Sequence, residues 1–392
     1  MSLNKQLVFL MALATGLAVA SNYYVHPLIA VVGHDFGVPA DETGLFVTLT
    51  QFAYALGLIF LVPLGDLLDN KKLIVRLYGL VGIGSGLTAV APNVWLFSLG
   101  LLLVGGFCTV AQVLVPLAAS LAKPGQQGRV VGTIMSGLLL GILLSRTVSG
   151  FVAQWFGWRA VYVLGAVLLL LVAAALHKYL PQASRPRSGL SYGQTLKSVW
   201  SLTWGKTLLR QRGILGALDF SLFAILWTSL TLLLTHEPYH YRLGTIGLFG
   251  LLGALGVFGA SMAGRLADKG QARLVTIGGC VLFVVAWLLL YLGGTQLWPL
   301  MVGIVLLDFA VQAVHITNQS LIYRTDPALK GRITSGYMSL YFIGGVLGSL
   351  ASAAVYAQFA WVGVAALGLA VSVLMLVCAL MFKANPDGMQ AA

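Results

Sequence analysis

The sequence predicts an all-α integral membrane protein: twelve transmembrane helices arranged as two six-helix pseudo-symmetric halves. Three observations predict it: the composition, the alternation of basic with charge-poor connections, and an internal repeat. Of 392 residues, 59% are hydrophobic and 9% charged, against about 45–50% and about 25% in a soluble domain. A mean hydropathy of +0.92 belongs to a chain whose solvent is lipid.

A helix crosses the hydrocarbon core with about 20 mainly apolar residues. Runs of that kind occupy 7–32, 42–64, 73–91, 95–121, 130–152, 158–180, 213–235, 244–264, 273–293, 297–322, 331–355 and 360–382. At the N-terminus, Lys5, an apolar stretch and Ala18-Val19-Ala20 mimic a cleavable leader, but the apolar run continues to Val32 and reads as a span. The 47 glycines suit close helix crossings. Cys108, Cys280 and Cys378 lie in apolar runs with no metal or disulfide spacing, so they read as small hydrophobes, and no metal or cofactor is expected.

The connections alternate. One set carries Lys71, Lys72 and Arg76; Lys123 and Arg129; Arg265, Lys269 and Arg273; Arg324, Lys330 and Arg332. The other carries only Arg159 and Arg242 as basic residues, with Asp35, Asp41, Glu42 and Glu237. Basic loops stay in the cytoplasm, which predicts a multi-pass protein of a bacterial inner membrane with both termini cytoplasmic. The net charge of +12 is thereby a topology signal and not a nucleic-acid footprint. The polar stretch 181–212 has no acidic residue, and seven basic ones counting Lys178. It divides the chain into an N-terminal bundle, 1–180, a basic cytoplasmic linker, 181–212, and a C-terminal bundle, 213–392. Within it, SYGQTLKSVWSLTWGKTLL reads either as an amphipathic helix on the anionic inner leaflet or as an orienting linker.

The halves repeat. A shift of 203 lays Gly128-Arg129, Met135-Ser136, Gly141 and Trp158 over Gly331-Arg332, Met338-Ser339, Gly344 and Trp361. A shift of 199 lays Ala55-Leu56-Gly57, Gly65, Leu67 and Asp69 over Ala254-Leu255-Gly256, Gly264, Leu266 and Asp268. Parallel six-span repeats are a transporter architecture.

Gly65-Asp66-Leu67-Leu68-Asp69-Asn70-Lys71-Lys72, and Gly264-Arg265-Leu266-Ala267-Asp268-Lys269 with Arg273 beyond, resemble the loop between spans two and three of the major facilitator superfamily. With the span count and central loop, the resemblance covers the whole chain, and extends to the bacterial proton-coupled drug and sugar efflux permeases. The first loop lacks the family's Gly before its basic pair, the fourth span has no intramembrane Arg, and the fifth reads GLLLGILLSRTVSG in place of a Gly-Pro motif. Physically, Asp69 and Asp268 can accept from N–H groups at a helix start and from nearby cations. Gly65, Asp69, Lys71, Lys72, Gly264, Asp268, Lys269 and Arg273 are therefore a candidate conformational latch.

Charges in the bilayer centre cost about 2.5–3.5 kcal/mol each on insertion scales and mark function or a buried partner. Three lie well inside spans: Arg146, Asp219 and Asp308. In the tenth span Asp308, Gln312, His315 and Gln319 are spaced i, i+4, i+7, i+11, one stripe of a helix. Asn318 stands beside it. The resemblance implies that spans one, four, seven and ten line a central cavity. Gln112 falls over His315 in the repeat, span one offers Asn22, Tyr23 and His26, and span seven offers Trp227. Tyr24, Tyr54, Tyr337 and Tyr341 either stack on a substrate ring or pack. Desolvation favours a protonated carboxyl, which makes Asp308 the candidate proton carrier and His315 a relay. Arg146 lies roughly 7.5 Å outward of its span's centre at ~1.5 Å per residue, in position to neutralise Asp308 or to bind an anion. Asp219, two turns from Arg212, either pairs with it or joins the coupling.

The expected function is proton-coupled efflux of a small drug- or sugar-like compound by a monomer working through alternating access, with substrate, protons and membrane lipids as partners. Proton-driven uptake of an organic acid bound by Arg146 is the alternative, and a membrane sensor or lipid-handling protein without solute flux is the alternative from another class. No nucleotide-hydrolysis, nucleophile-elbow or HExxH motif is present, so no enzyme is expected.

Overall fold

A computed structural model describes residues 5–39, 42–122, 127–182, 191–253, 266, 270–323 and 330–382. The helices are α1 (Lys5–Tyr23), α2 (Ile29–Phe36), α3 (Leu45–Phe60), α4 (Asn70–Ala89), α5 (Val94–Phe107), α6 (Val110–Leu121), α7 (Gln127–Phe156), α8 (Trp158–Tyr179), α9 (Tyr192–Gly205), α10 (Thr207–Thr235), α11 (Leu243–Leu252), α12 (Ala272–Leu292), α13 (Leu297–Tyr323) and α14 (Lys330–Met381). Among the described residues, ten stretches are long and apolar enough to cross a membrane. The last, Gly331–Met381, holds two spans. At ~1.5 Å per residue it would run far beyond a ~30 Å hydrocarbon core, and it turns back at Ala360 (φ 48°, ψ −147°). α11 is the described start of another, which completes the twelve.

The first span is not one continuous helix. Pro27 has no N–H, and its ring opposes the carbonyl four residues back, at Tyr23. There α1 stops, a short 3-10 turn covers His26–Leu28, and α2 resumes the path. Asn22, in α1, and His26, in the 3-10 turn, therefore do not share one regular α-helix. The seventh span starts earlier than its apolar run, at Thr207 rather than 213, because Arg210 and Arg212 belong to its first turns.

The chain forms two compact units. The first comprises Met1–Phe36, Leu49–Leu196 and Leu243–Gly247; the second Gly37–Thr48, Lys197–Arg242 and Leu248–Ala392. In the first, α1 packs on α7, and α4 on α5 and α8; in the second, α10 packs on α14, and α12 on α13 and α14. The pairing order is the same, which is the internal repeat expressed as packing.

Its tightest expression is two glycine crossings. A side chain at Gly141 would overlap the backbone of Gly16, and one at Gly344 would overlap the carbonyl of Ala217. Lipid tails are as apolar as leucine, so spans are held by such backbone approach and not by expulsion of water. The repeated tryptophans differ in their partners. Trp158 donates to Asp35 at 2.7 Å, beside an Arg159–Asp35 ion pair at 3.0 Å. Trp361 donates to the Leu290 carbonyl at 2.8 Å.

Candidate solute and proton site

In the second unit, α13 presents the stripe read from the sequence. Gln312, His315 and Gln319 are half-exposed, while Val311, Ala313, Val314, Thr317 and Asn318 are buried. Asp308 is 6% exposed. Its carboxylate accepts from the Trp227 indole N–H of α10 at 3.4 Å. The His315 Nδ1 lies 3.1 Å from the Tyr337 hydroxyl of α14, and the Gln319 amide points at the Met338 sulfur, 3.9 Å away. The stripe therefore runs against protein from two neighbouring spans.

Aromatic rings border it. Tyr341 stacks on Phe220, with centroids 4.3 Å apart and planes 19° apart, and its ring is 4.5 Å from the His315 imidazole. Phe220 stacks on Phe223, and Phe223 leads to Trp227 at 6.1 Å. Phe220 and Phe223 were not among the residues singled out in the sequence. Their signal is there: Phe220, Phe223 and Trp227 are spaced i, i+3, i+7 and share one helix face. The wall thus offers ring faces, two amides, an imidazole and a carboxylate, a set able to hold a small ring-bearing solute by stacking and by hydrogen bonds.

The first unit holds a separate cluster. The Arg146 guanidinium, 3% exposed, lies 5.0 Å from the Tyr23 ring centroid, and Tyr23 is 5.3 Å from the His26 ring. Asn22 is buried beside them in sequence, and neither end of its amide has a hydrogen-bond partner among the described residues. Gln112 donates to the Tyr54 hydroxyl at 3.3 Å, which joins α6 to α3.

Asp219 does not pair with Arg212. Seven residues of helix separate their Cα atoms by roughly 10.5 Å at ~1.5 Å per residue, and Arg212 turns elsewhere. It donates to the Thr276 hydroxyl at 3.1 Å and to the Asn318 amide oxygen at 3.4 Å. Asn318 is thereby engaged behind the stripe, not on it. Asp219 is fully buried, and neither carboxyl oxygen has a hydrogen-bond partner among the described residues.

Of the loop residues, Asp69 is the N-cap of α4 and accepts from the Lys72 backbone N–H at 3.2 Å. Gly65 sits where a Cβ would come within 3.2 Å of Val113. Lys71 is half-exposed, and Lys72 and Arg273 are exposed. Gly264, Asp268 and Lys269 lie outside the described residues.

The family model described as Major Facilitator Superfamily matches residues 11–341. The transporter YgaY of Escherichia coli O157:H7 is 49% identical over 366 residues, covering 93% of each chain. A protein named "probable sugar efflux transporter" in Pasteurella multocida is 21% identical over 352 residues, 86% of this chain and 83% of its own. Among solved structures, a bacterial homologue of the human lysosomal transporter Spinster superposes with a TM-score of 0.73 at 14% identity, covering 95% of this chain and 94% of that one, a likeness of fold. The spans and the bacterial transporter relatives make the protein a multi-pass protein of the inner membrane. By the match along its length and by these relatives, the chain belongs to the major facilitator superfamily of membrane transporters.

Proposed function

We propose that the protein exports a small drug- or sugar-like compound in exchange for protons, by alternating access of two bodies, 1–180 and 213–392, joined by the linker 181–212. Both termini are cytoplasmic and the working unit is a monomer. The observation that carries this reading is the half-exposed polar stripe of α13, flanked by aromatic rings and ending at the buried Asp308. Lipid cannot satisfy that stripe, and solute and water can. In one state Asp308 holds a proton; in the other it is the carboxylate that the Trp227 N–H faces. A sugar efflux name among the relatives supports export of a ring-bearing solute.

Arg146 over Tyr23 favours a second reading, proton-driven uptake of an organic acid whose carboxylate the guanidinium would receive. One experiment separates the two. A thermal-shift screen of purified protein against drugs, sugars and organic acids supplies a ligand, which is then followed into proteoliposomes under an imposed pH gradient. Exchange for protons predicts accumulation when the lumen is acidic. Accumulation driven by an acidic exterior establishes uptake instead, and ligand binding without flux in either gradient overturns both.

A further inference from the structure

We propose that the outward face of α9 is a docking surface for anionic phospholipid headgroups of the cytoplasmic leaflet. The proposal rests on the basic connections being cytoplasmic, and on nothing about the transported solute.

The buried stripe of α9 fixes which way the helix faces. At its start the Tyr192 hydroxyl donates to the Phe60 carbonyl at 2.8 Å. Phe60 is the last residue of α3, where helix carbonyls run out of intrahelical donors. Further along, Thr195, Val199 and Thr203 are buried at i, i+4, i+8, one stripe of the helix. Thr203 and Val199 seat against Gly336 of α14, where any side chain would overlap the Thr203 hydroxyl. The seat also sets the depth. Gly336 lies within the first two turns of its span, so α9 runs at the level where headgroups meet acyl chains.

The opposite face carries Lys197, Ser201 and Trp204, all exposed, with Trp200 half-buried between them. Trp204 is 47% exposed. Lys206 follows at the joint to α10, and Arg210 is exposed one turn on. Tryptophan prefers this interface because its ring is apolar and its N–H is polar. The segment itself is purely cationic: no acidic residue occurs in the sequence between Asp69 and Asp219. A helix with a seated face, exposed tryptophan and lysine on the other, and no carboxylate in its own segment is complementary to lipid phosphates, which attract cations near the surface and lose that pull within a Debye length.

The test uses the full chain with Cys108, Cys280 and Cys378 replaced and a nitroxide on cysteine at Ser201, in nanodiscs of phosphatidylcholine alone or mixed with phosphatidylglycerol. Phosphatidylglycerol should raise the label's accessibility to oxygen and lower its accessibility to a water-soluble nickel chelate. Preferential association of spin-labelled phosphatidylglycerol over phosphatidylcholine should be lost in Lys197→Gln/Lys206→Gln/Arg210→Gln. It should be retained in Lys197→Arg/Lys206→Arg, which shows that charge and not folding was lost. Equal nickel accessibility in both lipids overturns the proposal. So does a lipid preference that survives the triple substitution, or equal protection by soluble glycerol phosphate in phosphatidylcholine discs, which would mean a free-anion site.

Discussion

The Trp227 indole on α10 donates to the Asp308 carboxylate on α13 across 3.4 Å, both groups buried. The bond gives the acid a neutral donor, which stays a donor whether the carboxyl is charged or protonated. Asp308→Asn retains an acceptor for that N–H and mimics the protonated acid. It should fold normally and bind substrate, exchange solute across the membrane, and lose accumulation driven by a pH gradient by tenfold or more. Vesicle flux measured with and without the gradient checks this. Gradient-driven transport at the wild-type rate would remove Asp308 as carrier and leave the buried Asp219 as the next residue to substitute.

Asp69 offers a way to part structure from switching. Asp69→Ala removes the cap bond to the Lys72 N–H and should cost about 1 kcal/mol of stability. Asp69→Asn keeps a capping oxygen and removes only the charge, so its thermal stability should stay near wild type. If the loop is a latch, the Asn variant, with its cap intact, should still change the distance distribution between spin labels on the basic connections. Unchanged distances with normal stability would leave Asp69 as a cap and an orienting charge.

Gly344→Ala places a methyl group on the Ala217 carbonyl, with backbone and not a flexible side chain in the way. Overpacking of that kind costs typically about 1–3 kcal/mol, and more where the obstacle cannot move. Gly132→Ala is the control, since a Cβ there meets nothing within 4 Å. Thermal unfolding in detergent should show a clear loss for the first and none for the second.

The orientation drawn from the basic loops makes a labelling prediction. In a background without native cysteines, a cysteine at Gln271 should resist an impermeant thiol reagent in intact cells, and one at Gln296 should react. Both positions are exposed, so burial does not confound the result. Reversed reactivity would invert the topology and move the linker to the other face.

Much of the fold was legible because lipid is a demanding solvent. Spans appear as uninterrupted apolar runs, and a charge among them stands out, which is how Arg146, Asp219 and Asp308 were found. The spacing of Asp308, Gln312, His315 and Gln319 was enough to put them on one stripe. Arg212 was not legible. It sits among the basic residues of the linker, where a topology charge and a buried hydrogen-bond donor look alike, and its partners Thr276 and Asn318 are 64 and 106 residues away. Asn318 is next to Gln319 in sequence, yet it points about 100° away around the helix, toward Arg212. The stacking of Phe220 on Tyr341 depends on how α10 crosses α14, which no local pattern encodes.

The crossing of Gly16 by Gly137 and Gly141 has a consequence for how the protein is made. A side chain at either glycine would overlap the backbone of α1, so α1 has its close seat on α7. Roughly 120 residues separate the two in the sequence. At ~5–20 residues per second of synthesis, the first helix waits on the order of ten seconds in the bilayer before its partner emerges from the ribosome. The second unit repeats the delay between Ala217 and Gly344. Each half therefore closes late, with its fifth span, and a nascent chain stalled short of residue 137 leaves a groove-sided helix for chaperones and membrane proteases to find.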